Sequence, residues 1–393
     1  MRKTVTSMAL ALIMSLLFLF SPQQGTASDE FIFGLLMVGP SNDHGWSQAH
    51  FEAGKEIEKH IPGSRMIYID KVNPADRPGV TVPFLVDDLV SKGARLIIGN
   101  SDDMTDGIRE AAMLHPDVKF IHISGDDALN PKSPENLSNL MGKMEYGQMI
   151  AGFAAAMTTT TGKIGYLGPL INDETKRLAA ACFLGARYAW TSVLKKDPAD
   201  LSFKVSWIGF WFNIPGVTSD PTQVAKNFFD SGADVVISGI DTTEALIVAD
   251  QKKKEGAAVA AIPYDFQGSC NAAPNACLGV PYFNWVPGYT HFISKAIADS
   301  WKKEWLWLGP EWTDMNNSMT SSIGFQIGKA LSGEIQAQLA TFVKGLGDGS
   351  ISLFSGPLNF QDKSVFLKKG EIATDMQIWN LPQLLEGMEG ASQ

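Results

Sequence analysis

From residue 31 the chain alternates short, nearly unbroken apolar runs with longer stretches whose apolar positions recur every three or four residues. The short runs predict strands at 31–38, 66–69, 95–99 and 119–123, and the longer ones predict helices at 47–60, 82–92 and 103–114. Ala49, Ala53 and Ile57 share one face of the first helix. Strands without polar alternation are those of a parallel sheet covered by helices on both faces. Pro62-Gly63, Lys92-Gly93 and His115-Pro116 stop the helices. The pattern then restarts with a helix at 147–159. Strands at 163–167, 203–210, 233–238 and 259–263 alternate with helices at 174–195, 222–231 and 243–255. The tail adds a helix at 289–305, a strand near 321–326 and a helix at 330–344. This repeated βα spacing predicts an α/β protein of two lobes, each a doubly wound parallel sheet, with the chain crossing between them.

Ahead of that pattern stands a different segment. Arg2 and Lys3 precede the apolar run 8–20 and then a polar, small-residue stretch at 23–28, with cleavage expected after Ala27 or Ser28. That order is a secretory signal, too short for a comfortable membrane span. Residues 1–28 are therefore expected to be a signal peptide. No cysteine precedes Cys182, which removes a lipid-anchoring cysteine and predicts a free, exported protein. Cys270 and Cys277 lie in a Gly/Asn/Pro/Ala-rich loop at 268–279 where a small disulfide is expected to close, while Cys182 falls in an apolar helix as a buried free thiol. A C-x6-C spacing without histidine partners is no zinc motif.

The 393 residues, 45% apolar and 19% charged, suit a globular chain of two or three domains. The formal charge of −10 argues against a nucleic-acid backbone as partner, because a polyanion needs a basic stripe. Several enzyme classes fall away. Gly54-Lys55, Gly142-Lys143, Gly162-Lys163 and Gly328-Lys329 lack a following Ser or Thr, so no phosphate-binding loop is present. Gly34, Gly39 and Gly45 are too widely spaced for a dinucleotide fingerprint, and neither G-x-S-x-G nor H-E-x-x-H occurs. No metal or cofactor is expected, and the weight shifts to binding.

In doubly wound folds ligands sit beyond the carboxyl ends of the strands. After the first strand comes Gly39-Pro40-Ser41-Asn42-Asp43-His44-Gly45-Trp46-Ser47, and after the fourth Ser124-Gly125-Asp126-Asp127. In the second half the strand ends carry Trp211-Phe212-Asn213, Gly239-Ile240-Asp241-Thr242-Thr243 and Tyr264-Asp265-Phe266, and the next crossover reads Tyr282-Phe283-Asn284-Trp285. Acids and aromatics at six such ends suit a ligand rich in N–H or O–H donors that offers a planar ring or the apolar face of a sugar. These loops carry no Arg or Lys, which disfavours amino acids and nucleotides. Trp301, Trp305, Trp307 and Trp312 form a separate group, expected to serve lobe packing or a partner surface.

Asp43-His44-Gly45-Trp46-Ser47 with Phe51-Glu52-Ala53-Gly54 resembles the opening of the basic-membrane-protein, PnrA-like substrate-binding proteins of ABC transporters. Val118-Lys119-Phe120, Ile150-Ala151-Gly152, Gly232-Ala233-Asp234-Val235, Tyr264-Asp265 and Phe354-Ser355-Gly356-Pro357-Leu358 follow in family order. The set looks most like the purine-binding subgroup. The resemblance implies a hinged periplasmic-binding fold (type I, three crossovers), with lobe I at 29–143 and 282–312 and lobe II at 144–281 and 313–393. It also implies a purine nucleoside or related nitrogenous heterocycle as ligand and a membrane permease as partner to a monomeric periplasmic protein; the absence of the family's lysine disfavours ribose and favours the free purine base. By position, Asp43, Trp46, Ser47 and Asp126 would grip the base, Trp211 would stack on its other side, and Asp265 would hold ribose hydroxyls. Asn213 and Asp241 join the candidate set, and Asn284 or Trp285 stands where the family has a lysine. A ligand-sensing partner of a signalling receptor and an exported nucleoside hydrolase remain as alternative functions.

Overall fold

The computed structural model describes residues 30–393. The expected signal peptide lies outside the described residues. The first round of the pattern builds β1 (Phe31–Leu36), α1 (Trp46–His60), β2 (Ser64–Ile69), α2 (Val82–Ser91), β3 (Ala94–Gly99), α3 (Thr105–Leu114), β4 (Lys119–Ile123) and β5 (Leu137–Gly142). The second builds α4 (Met144–Thr158), β6 (Lys163–Gly168), α5 (Asp173–Tyr188), β7 (Ser202–Trp207), α6 (Pro221–Asp230), β8 (Val235–Ser238), α7 (Glu244–Lys254) and β9 (Ala260–Ile262).

The chain then leaves along β10 (Gly279–Phe283) to α8 (Val286–Ile297) and β11 (Trp305–Leu308), and returns along β12 (Ile323–Ile327) to α9 (Gly333–Gly347). It closes with β13 (Leu358–Asn359), β14 (Val365–Leu367), α10 (Asp375–Trp379) and β15 (Met388–Glu389).

Two parallel sheets result. One has the order β11-β5-β4-β3-β1-β2, the other β15-β7-β6-β8-β9. The late strand β11 pairs with β5, and α8 packs on α1, so both belong with the first sheet. Strands β10 and β12 run antiparallel as a two-stranded ribbon. With the β5–α4 link they make three passages between the lobes.

Three strands that the hydrophobic pattern does not predict have physical reasons. In β5, Ser138 and Asn139 interrupt the apolar run, yet both are buried and bonded. Asn139 accepts from Ala128 N at 2.8 Å and donates to Ser124 O at 2.9 Å, and the Ser138 hydroxyl accepts from Glu304 N at 3.0 Å. β11, Trp-Leu-Trp-Leu, looks like the end of a helix in one dimension, but α8 stops at Ile297. The third, β10, is an apolar crossover that takes its partner from β12, far along the chain. The predicted strand 203–210 also shortens to end at Trp207.

Small residues let α4 and α5 approach closely in the second lobe. A Cβ at Gly152 would lie 1.8 Å from the Cys182 carbonyl oxygen, and one at Gly185 would lie 2.0 Å from that of Met149. Cys182 is fully buried in this contact, where burial pushes its thiol well up from the ordinary value. The tryptophan group packs internally: Trp305 and Trp307 meet Trp379 edge-on at 4.9 and 5.1 Å, tying the C-terminal segment to the first sheet.

Candidate functional site

The carboxyl ends of the two sheets face each other across a cleft, and their loops carry left-handed backbone at non-glycine residues. His44, Ser124 and Asp265 have φ of 59°, 70° and 71°. Such conformations cost energy and cluster where a chain must present groups at a fixed place.

After β1, the Asp43 carboxylate accepts from the backbone N–H of Gly45, Ser47 and Gln48, each at 2.9 Å. This caps the first turn of α1 from outside it. Burial raises the Asp43 pKa and those bonds oppose the rise. Ser47 is buried, its hydroxyl accepting from Gly39 N at 2.9 Å. Trp46 donates from its indole N–H to the Asn100 carbonyl at 2.5 Å, which fixes the ring plane. Behind it lies an aromatic stack. Trp285 lies parallel to Phe283 at 4.8 Å and to His50 at 4.2 Å, and Trp46 meets it edge-on at 5.1 Å. Burial holds His50 well below the usual imidazole range, so it packs as a neutral ring.

Among the described residues the lobes touch around this cleft. The Ser124 hydroxyl donates to Glu174 Oε2 at 2.9 Å, and the Ser269 hydroxyl donates to the His44 carbonyl at 3.0 Å. Gly45 lies flat against the Asp241 backbone; a Cβ there would be 1.8 Å from the Asp241 carbonyl oxygen.

Between these contacts lies a small cavity of about 30 Å³. Trp46, Ser101, Asp102 and Ser124 line it from the first lobe. Glu174, Asp241, Tyr264 and the run Phe210-Trp211-Phe212 line it from the second. Asp265 lies next to Asp241, fully buried, with neither carboxylate oxygen hydrogen-bonded. Asp265 lies close enough to Asp241 for that neighbour's charge to disfavour its ionisation. Burial, then the neighbouring charge of Asp241, raises Asp265 well above its ordinary value; Asp241 is raised by burial and by the charges of Asp43, Glu174 and Glu244.

Of the candidate residues, Trp46, Trp211 and Asp241 meet in this cavity, with Asp265 next to Asp241. Asp43 and Ser47 are engaged in the α1 turn beside it. Asp126 is exposed on an adjoining groove that shares Asp102, Ser124 and Glu174 with the cavity. Asn213 is exposed and accepts from the Thr218 hydroxyl at 3.1 Å. Asn284 pins the crossover: it donates to Ser318 O and Ser321 O at 2.8 and 2.7 Å and accepts from Val286 N at 3.2 Å. Trp285 is buried in the aromatic stack. Cys270 is joined to Cys277.

Sequence reasoning missed Glu174. It stands at the start of α5, just past the β6 end, so the strand-end rule applied to β6 finds it. Lys176 and Arg177 of the same helix line the adjoining groove and supply positive charge that the loops themselves lack. Arg177 is held by Glu145 at 2.7 Å and lies 3.8 Å from Glu174. Among the described residues no His, Cys, Asp and Glu group is arranged to hold a metal ion, and no helix is long and apolar enough to cross a membrane.

Two parallel sheets joined by three passages, with a cavity between their carboxyl ends, define the two-lobed type I periplasmic-binding-protein fold. A solved ABC transporter solute-binding protein from Aeropyrum pernix superposes with a TM-score of 0.64 at 12% identity, over 91% of this chain and 100% of that one. One from Conexibacter woesei gives 0.60 at 16% identity, over 82% and 97%. The sequence matches the family described as ABC transporter substrate-binding protein PnrA-like over residues 32–311, and the chain belongs to that family. It is 26% identical over 363 residues to a purine-binding protein of Brucella abortus, covering 92% of this chain and 94% of the relative.

Proposed function

We propose that this substrate-binding protein captures a purine base or nucleoside, the free base being favoured, and delivers it to the membrane permease of an ABC importer after export to the periplasm. The observation that carries the reading is the pairing of Trp46 from one lobe with Trp211 from the other around a cavity that also holds Asp241 and Glu174. Indole faces suit a flat ring, and carboxyl groups suit ring N–H and exocyclic amines through bonds contributing about 1.5–3 kcal/mol each when charged. Similarity to the Brucella purine-binding protein over nearly the whole chain supports the same ligand class. The buried Asp241–Asp265 pair leaves acceptors for ribose hydroxyls, which keeps nucleosides within the reading.

The test is calorimetric titration with adenine, guanine, hypoxanthine and their nucleosides, with glucose and leucine beside them. Saturable binding of at least one purine, tighter than glucose and leucine, is expected. Tight glucose or leucine binding with none of any purine overturns the reading.

A further inference from the structure

We propose that the cleft prefers purines carrying a positive charge on the ring, such as N-alkylated bases or their nucleosides, over the neutral parent compounds. This rests on the purine reading above and narrows it.

The lining is one-sided in charge. Asp102, Glu174 and Asp241 border the cavity, and among the described residues no Lys or Arg does so. The Arg177 guanidinium lies 3.8 Å from Glu174 but outside the cavity lining, and its hydrogen bonds go to other partners. Its Nε donates to Glu145 at 2.7 Å, a second nitrogen donates to the Trp379 carbonyl at 3.3 Å, and its face lies 4.2 Å over the Trp379 ring. Lys176, on the adjoining groove, pairs with Asp173 at 3.0 Å and donates to the Pro382 carbonyl at 2.8 Å.

The rest of the lining is aromatic. Trp46 comes from one lobe, and Phe210, Trp211, Phe212 and Tyr264 come from the other. Phe210 stands edge-on to both Trp211 and Phe212, at 5.3 and 4.9 Å, so these rings present faces in more than one direction. Rings from several sides with carboxylates between them are the recognition pattern for organic cations, whose charge is attracted to the π faces. A neutral purine gains stacking and hydrogen bonds to the carboxyls; a cationic purine adds attraction to the ring quadrupoles and to the carboxylate charge.

Electrostatics inside the cleft point the same way. Glu174 is raised by burial and by Asp102 and Glu145, with Arg177 and the Ser124 hydroxyl opposing the rise; Asp241 and Asp265 are raised by burial and by each other's neighbours. Carboxyls that resist ionisation because they are dry and face one another are relieved by a cation placed among them. A phosphate or carboxylate there would meet the opposite response.

The experiment compares matched pairs on the wild-type protein: 7-methylguanosine against guanosine and 1-methyladenosine against adenosine. Titration is done at mildly acidic pH, where the methylated rings are cations, and at low and high salt, with choline as a cation lacking a purine. Expected are methylated ligands bound about tenfold tighter or more, with the advantage shrinking as salt rises and falling toward parity in Glu174→Gln. Neutral parents binding as tightly as the cations would overturn this inference and leave the purine reading standing. An advantage that ignores both salt and Glu174→Gln would mean that the methyl group fills a gap, and would overturn it too. Binding of choline with no purine derivative bound would overturn both.

Discussion

Trp46 and Trp211 border the same cavity but stand in different surroundings, and truncating them should separate binding from stability. Trp211 is half-buried on a loop, its carbonyl accepting from Asp241 N at 2.9 Å. Trp211→Ala is expected to weaken ligand binding by about 1–3 kcal/mol, the range for a base–aromatic stack, with little change in melting temperature. Trp46 also anchors to Asn100 and backs onto Trp285, so Trp46→Ala should lower both affinity and thermal stability. Calorimetry with a thermal melt reads the two effects, and wild-type affinity in both variants would reduce the rings to packing. The Asp241–Asp265 pair gives a pH signature. Both groups titrate near 3.8 when unperturbed and well above it in the fold. The folded protein therefore binds more protons than the unfolded chain from about pH 4 upward, so this pair's contribution to stability is lost as pH rises through the folded values. Asp127 and Asp234, held low by bonded partners against the opposing effect of burial, act only at lower pH, their contribution being lost as pH falls. Asp265→Asn should flatten the fall in melting temperature between about pH 4 and neutrality; an unchanged slope would show that the pair does not titrate in that window.

At the scale of elements, the loop from β9 to β10 carries the Cys270–Cys277 bridge, seven residues apart. Loop-closure entropy for so short a ring gives about 2–2.5 kcal/mol. Replacing both cysteines by serine should lower stability by up to that amount and leave cleft binding within about twofold, since Cys277 faces the second lobe's core and not the cavity. A tenfold loss of affinity would instead tie the loop to the ligand. Much of the element pattern was legible because most strands are covered on both faces and so read as apolar runs. Strand β5 escaped because its polar residues bond sideways, through Asn139 and Ser138, a use of polarity that a hydrophobic profile scores as a loop. The candidate site was legible where a residue type and a strand end coincided, as at Trp46, Trp211 and Asp241. It was illegible where a helix start supplied the group, as at Glu174, and where a side chain's polar atoms were spent locally, as at Asp43 and Asn284.

For the molecule as a whole, the two lobes meet backbone to backbone at Gly45 and Asp241. A side-chain carbon at position 45 would stand only 1.8 Å from the Asp241 oxygen, so Gly45→Ala should hold the lobes apart. Small-angle scattering should show a variant that stays extended when ligand is added, with its far-ultraviolet dichroism unchanged and affinity down by about tenfold or more. Compaction equal to wild type would mean that the lobes find another way to meet.

The edge strands carry a consequence for how the protein is made. The first sheet waits for β11, whose neighbour Glu304 bonds Ser138 across 166 residues of chain. The second waits for β15, beside which the Trp207 indole donates to the Ala391 carbonyl across 184 residues. Neither lobe is complete until residues far downstream have been synthesised, and pairings of such long range form slowly. A nascent chain built this way cannot complete either sheet until nearly the whole of it has been made.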